Sequence, residues 1–205
     1  METTPQIPQK TNQGGNGVYE VCHDISRVVG ATIWARTPKH DMSARTIMID
    51  WSKKRLSHLL VQKGRQEGII PEYIHSIDVL GQPSGAKRRN KIHQYHVDGE
   101  NLRDVAEEYS DGEERCQREI VDPIGEILAE KLGIIARVDF WPKNIMVGPE
   151  TAQKIKKALQ GGLPFQLDSE DAIYVNIDPD HWHFEGKKVK SLLSHKDIPI
   201  FARLK

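Results

Sequence analysis

Residues 172–189 read AIYVNIDPDHWHFEGKKV, a stretch where strand patterning, turn chemistry and ligand-type side chains coincide. Asp178-Pro179-Asp180-His181 sets a proline, with its fixed φ, between two aspartates that can bond local backbone, which is β-turn chemistry. Ala172 to Ile177 are β-branched and aromatic and the residues after the turn alternate, so the stretch reads as a β-hairpin. A two-residue loop sets Ile177 against Trp182, Val175 against Phe184, Asn176 against His183 and Tyr174 against Glu185. Alternation then gives one apolar face, Ile173, Val175, Ile177, Trp182 and Phe184, for the core. The other face gathers Tyr174, Asn176, Asp178, His181, His183, Glu185 and Lys187.

Outward from this hairpin the chain mixes both periodicities. Val18 to Val29 has near-helical apolar spacing, Ala31 to Ala35 reads as a strand, and Thr46 to Asp50 (TIMID) as a short buried strand. Asp50 or Ser52 then caps a helix over about Lys53 to Gly68. Ile92 to Val97 alternates like a strand, and Asn101 to Tyr109 and Glu113 to Leu132 read as helices. The second of these has Ile120, Ile124, Ile127, Leu128 and Leu132 as its apolar stripe, a break expected at Pro123 and Gly133 as its C-cap. Ile134 to Phe140 and Asn144 to Val147 are strands joined by a turn at Trp141-Pro142-Lys143, and Thr151 to Gln160 is a helix closed by Gly161-Gly162. A basic segment follows the hairpin, and Ile198 to Leu204 reads as a last strand. No internal repeat is visible, and the irregular alternation predicts an α+β fold: a mixed or antiparallel sheet with a C-terminal β-hairpin packed against several helices. Residues 1–17, rich in Pro, Gln, Asn, Thr and Gly, read as a mobile arm ahead of a single domain over 18–205.

The chain has 205 residues, 38% hydrophobic and 28% charged, with a mean hydropathy of −0.56. That composition suits a polar globular protein, and no apolar run approaches the roughly 20 residues of a membrane span. The two cysteines, Cys22 and Cys116, form no CxxC or Cys-His motif, which favours buried thiols and an intracellular, cytoplasmic or nuclear location. Net charge is zero but uneven. From Arg36 to Lys91 there are 12 Lys/Arg against 5 Asp/Glu, +7; from Asp98 to Glu130 there are 3 against 12, −9. From Glu185 to Lys205 there are 6 against 2, +4. Such polarity bears on partners and self-association, and a homo-oligomer is expected.

Two kinds of chemistry compete. Lys53-Lys54-Arg55 on a helix and Lys87-Arg88-Arg89-Asn90-Lys91 on a loop are cation clusters fit to neutralise phosphates, with Trp51, Tyr73 and Tyr95 close in sequence for stacking. They point to a non-catalytic protein binding nucleic acid or another polyanion, of the kind found among self-associating viral or phage accessory and structural proteins. The alternative is a metal-dependent enzyme. His181 and His183 lie i, i+2 on one strand face, about 6.5–7 Å apart at Cα, with Glu185 one step further. His96 and Asp98 repeat that spacing, and two such pairs on neighbouring strands make a four-ligand site for zinc, iron or manganese. No other cofactor is expected.

Three segments are similar to known enzyme motifs. His96-x-Asp98 with a distant histidine resembles the ligand set of iron/2-oxoglutarate oxygenases, whose eight-stranded barrel does not fit the helical stretch Asn101 to Leu132. Asp180-His181-Trp182-His183-Phe184 is similar to the Glu-x-Trp-His segment of zinc D-Ala-D-Ala carboxypeptidases, whose partner motif has no match upstream. Asp171 with Glu185-Gly186-Lys187 resembles the acidic and Glu-x-Lys signature of many nucleases, which implies carboxylates holding Mg²⁺. GxSxG, the Walker GxxxxGK[ST] and a helix-opening GxGxxG are absent, and Gln13-Gly14-Gly15-Asn16-Gly17 falls in the arm with no strand expected before it.

Overall fold

A computed structural model describes residues 10–14, 17–23, 32–37, 44–79, 92–95, 97–136, 140–177 and 181–198. The fold is α+β. Strands β1 (Lys10–Gly14), β2 (Gly17–His23) and β3 (Thr32–Thr37) form an antiparallel meander, and β5 (Ile92–Tyr95) completes a four-stranded sheet of order β1-β2-β3-β5. Gly14 pairs with Gly17, so β1 and β2 are antiparallel neighbours on either side of Gly15-Asn16, and a strand does precede the glycine-rich run. β1 lies within the span expected to be an arm. Val18 to His23 is strand where the spacing suggested helix: Val18, Tyr19 and Val21 suit a pleated strand, and the segment has ladder partners on both sides.

Helix α1 (Ala44–Gln66) is 23 residues long and absorbs TIMID, Asp50 and Ser52, none of which starts or caps it. A five-residue apolar run cannot by itself separate strand from buried helix, and no turn residue interrupts the sequence before Lys53. Beyond α1, β4 (Ile74–Ser76) joins a mixed sheet of order β4-β9-β8-β6 with β6 (Glu100–Asn101), β8 (Ile145–Val147) and β9 (Ile173–Val175). Between β6 and β8 come α2 (Leu102–Glu107), capped where Asn101 Oδ1 accepts from Arg103 N–H at 3.0 Å, and a long helical rod. The rod comprises α3 (Gly112–Cys116), a π turn (Gln117–Val121), α4 (Asp122–Ile127) and a second π turn (Leu128–Leu132), and Gly133 closes it at φ 66°. Proline explains the first π turn. Pro123 has no N–H for an i−4 carbonyl, and the Asp122 N–H reaches back five residues to Gln117 O. Ile120, Ile124, Leu128 and Leu132 are buried as the stripe requires, with Ile127 half-buried.

The stretch 172–189 has its faces as expected, but its two strands do not pair with each other and form no hairpin. Ile173, Val175, Ile177, Trp182 and Phe184 are buried, whereas Tyr174, Asn176, His181 and His183 are half-buried. β9, however, pairs parallel with β4 (His75 against Tyr174) and antiparallel with β8 (Met146 against Tyr174). Both its edges are taken. β10 (Trp182–Phe184) therefore finds β7 (Ile134–Ala136), with His183 opposite Ile135. Alternation fixes which side chains are buried; it does not choose the ladder partner. Helix α5 (Pro149–Gly161) bridges β8 and β9, and the basic segment after β10 is helix α6 (Gly186–Leu192). One continuous core joins α1, the rod, α5, α6 and the mixed sheet. The expected strand at Ile198 to Leu204 lies outside the described residues beyond Ile198.

Burial, with Arg65 adding to it, pulls the His75 imidazole down to about 4, where its ring lies 4.7 Å from that of Tyr174. Folded, His75 stays neutral between pH 6.5 and 4; unfolded, it takes up a proton below about 6.5. Its contribution to stability is thus present above pH 6.5 and lost as pH falls towards 4. His58 is shifted the same way, by burial. Urea unfolding should give a lower midpoint at pH 4.5 than at pH 7, and His75→Phe, which keeps a ring and removes the titration, should narrow that gap.

Candidate functional site

Strand β9 delivers its C-terminal end to the middle of α1. There Lys54, only 3% exposed, donates from Nζ to Asn176 Oδ1 at 3.2 Å and to the Ile177 carbonyl at 3.0 Å. A buried ammonium is tolerated only with such oxygens around it. Lys54 shares a helix face with Ser57 and Val61, both buried, and the Ser57 hydroxyl donates to the Lys54 carbonyl at 2.7 Å. On the opposite side of β9, the Asn176 N–H donates to the Asn144 carbonyl at 2.9 Å. Asn144 ends the 3₁₀ turn Pro142–Asn144, which the Asn144 N–H closes onto the Trp141 carbonyl, and Asn101 Nδ2 donates to the Lys143 carbonyl at 2.9 Å. The end of β9 and the loop before β8 are therefore bonded to each other, and α1 backs the end of β9 through Lys54.

The sequence around this junction is rich in oxygen ligands. Asp139 stands five residues before Asn144, and Asp178-Pro179-Asp180 follows Ile177 directly. Residues 137–139 and 178–180 lie outside the described residues. Phe140 anchors the near side of the loop, its ring edge-on to Trp182 at a centroid distance of 4.8 Å.

The expected site residues fall in separate places. Lys53 is half-exposed, Lys54 is directed inward, and Arg55 is paired with Asp78. Asp78 also lies 3.4 Å from His58 Nε2, whose Nδ1 is 3.2 Å from Ser76 Oγ. Lys87, Arg88, Arg89, Lys91 and His96 lie outside the described residues, and Asp98 is exposed. β5, which ends at Tyr95, pairs with β3, whereas β10, which carries His183, pairs with β7. No group of three or more His, Cys, Asp or Glu fit to hold a metal is found among the described residues. The nuclease-like pair is also apart in role. Asp171 is buried and accepts from Thr151 Oγ1, Lys154 Nζ and the Asp168 N–H, while Glu185 is exposed 3.7 Å from Lys188 Nζ. Cys116 is buried, with its thiol pushed up to about 12 by that burial, which makes it inert.

Sequence reasoning passed over Lys54 as an interior residue, Asn144 and Asn176. The available signals were an Asp-x₄-Asn loop between two strands and an aspartate straight after the next strand.

No protein-family model matches the chain, and no curated protein matches it. Among solved structures, it is similar to one titled "The complex structure of Rv3197-erythromycin from Mycobacterium tuberculosis", with 10% sequence identity and a TM-score of 0.42. The match covers 83% of this chain and 44% of that one, so the chain spans less than half its length. No helix among the described residues is long and apolar enough to cross a membrane.

Proposed function

We propose that this chain carries a magnesium-dependent phosphoryl-transfer site for a nucleoside triphosphate, built on Asp139, Asn144 and Asp178. The observation that carries the reading is the bond from the Asn176 N–H to the Asn144 carbonyl, which ties the Asp139–Asn144 loop to the strand leading into Asp178. Phosphoryl transfer asks a protein mainly for positioning and charge stabilisation. Hard oxygen ligands hold Mg²⁺ on the phosphates, a carboxylate takes the acceptor's proton, and glycine-rich backbone lies over the phosphates. In this sequence the glycine-rich run between β1 and β2 comes first, then Asp-x₄-Asn between β7 and β8, then an aspartate after β9. That is the order in which kinase-type sites carry these parts. Asp178 and the Asn144 side chain are assigned to the cation, and Asp139 to the base. Lys54 is a positioning residue that holds the strand end. The test is binding of a fluorescent ATP analogue with and without Mg²⁺, together with phosphate release from ATP. Binding that ignores Mg²⁺, or none at all, would sink the reading.

A second reading keeps the polyanion but makes it nucleic acid. It is favoured by the +7 balance of residues 36–91 and rests on the loop cations Lys87, Arg88, Arg89 and Lys91. Replacing those four loop cations with alanine should weaken RNA or DNA binding and lower the slope of log K against log salt by about 3–4. An unchanged slope would exclude it. Self-association through the +7 and −9 segments belongs to the same reading, and added salt would then drive the sedimentation profile towards monomer.

A further inference from the structure

The first π turn of the rod has a consequence for the loop that carries Asp139. Gln117 opens that turn, and its amide Nε2 donates both to Asp122 Oδ1, at 2.5 Å, and to the Phe140 carbonyl, at 3.2 Å. Both partners are acceptors only, so the amide has one possible orientation, with NH₂ towards the loop. Its Oε1 is enclosed without a hydrogen-bond partner among the described residues. A buried amide oxygen left unpaired is costly, so the two bonds donated by Nε2, one within the rod and one to the loop, must offset it. Phe140, the residue after Asp139, is held at two further points. Its ring meets Trp182 edge-on, and it lies over Gly125, where a Cβ would come within 3.1 Å of the ring. Pro123 thus widens the helix, Gln117 faces the loop from the widened turn, and the loop's backbone is fixed one residue from the proposed base.

We infer that Gln117 is a positioning residue that fixes the Phe140 carbonyl, one residue after Asp139 in the sequence. The inference rests on the phosphoryl-transfer reading for its catalytic meaning, while the loop contact stands independently. Gln117→Glu turns the donor into an acceptor facing two acceptors; Gln117→Met removes the bonds at similar length and covers the case in which the glutamate variant fails to fold. Each variant is compared with the wild type in amide hydrogen exchange, Mg·ATP affinity and ATP turnover. Exchange at Phe140 and Trp141 should accelerate while the Ile145–Val147 amides stay unchanged. Turnover should fall about 10–100-fold, the scale of a misplaced reacting group, with Mg·ATP affinity essentially unaltered. Unchanged exchange at Phe140 and Trp141 would overturn the inference, as would equal acceleration everywhere, which marks general destabilisation. Normal turnover in the Gln117 variants, with Asp139→Asn inactive, would also overturn it. If Asp139→Asn and Asp178→Asn are themselves as active as wild type, the site reading fails, and the exchange comparison still decides whether Gln117 holds the loop.

Discussion

Asp139→Asn should reduce phosphoryl transfer from ATP by about 10²–10⁴-fold, the usual contribution of a positioned general base, while leaving Mg·ATP affinity nearly intact. Asp178→Asn should behave differently. It removes a carboxylate assigned to the cation, so both the Mg²⁺ dependence of nucleotide binding and turnover should be lost. The contrast between the two variants is the informative result, because a general loss of structure would depress both quantities in both proteins. Nucleotide titration with and without Mg²⁺, followed by single-turnover phosphate release, reads the two effects separately. Two variants with wild-type behaviour in both assays would remove these aspartates from any phosphoryl-transfer role.

Trp182→Ala should cost about 3–5 kcal/mol, the range for emptying a large aromatic from a core. The indole is 3% exposed, lies on β10 opposite Ala136 of β7, and meets the Phe140 ring edge-on. The variant should therefore unfold at markedly lower urea than wild type. Turnover should also fall beyond what the unfolded fraction explains, because Phe140 loses the ring that anchors the loop after Asp139. Equilibrium unfolding paired with activity per folded molecule separates these effects. A loss below about 1 kcal/mol would mean that the site refills or that the indole packs less tightly than its burial implies.

Much of this architecture was legible because it depends on side-chain alternation and helix punctuation. The stripe from Ile120 to Leu132, the Gly133 cap, the turn at Trp141-Pro142-Lys143 and the inward set from Ile173 to Phe184 all follow from residues close in sequence. Ladder pairing does not. Whether β10 joins β9 or β7 is decided by β4 and β8, which already occupy both edges of β9. The site was harder to read for the same reason. Lys54 belongs to a run of three cations, and only the arrival of Asn176 and Ile177 from over a hundred residues away makes it interior. The glycine run was legible as composition and lacked context until β1 appeared before it. Asn144 and Asn176 carry no charge, and what joins them is a main-chain bond that no side-chain pattern encodes.

The parallel pairing of Ile74 with Ile173 has a bearing on synthesis. β4 leaves the ribosome about a hundred residues before its partner, and at typical elongation speeds that is a delay of roughly 5–20 seconds. Through that interval its edge has no β9 to bond with, and the interior Lys54 has neither Asn176 nor Ile177 as an acceptor. Non-local strand pairing is also slow in its own right, because a long loop must close before any contact rewards it. A nascent chain stalled before residue 173 would thus hold α1 and the rod without the strand that unites them, an aggregation-exposed species that a holdase would recognise. Completion of β9 is the step at which the nascent polypeptide first acquires both sides of the Asn144–Asn176 junction.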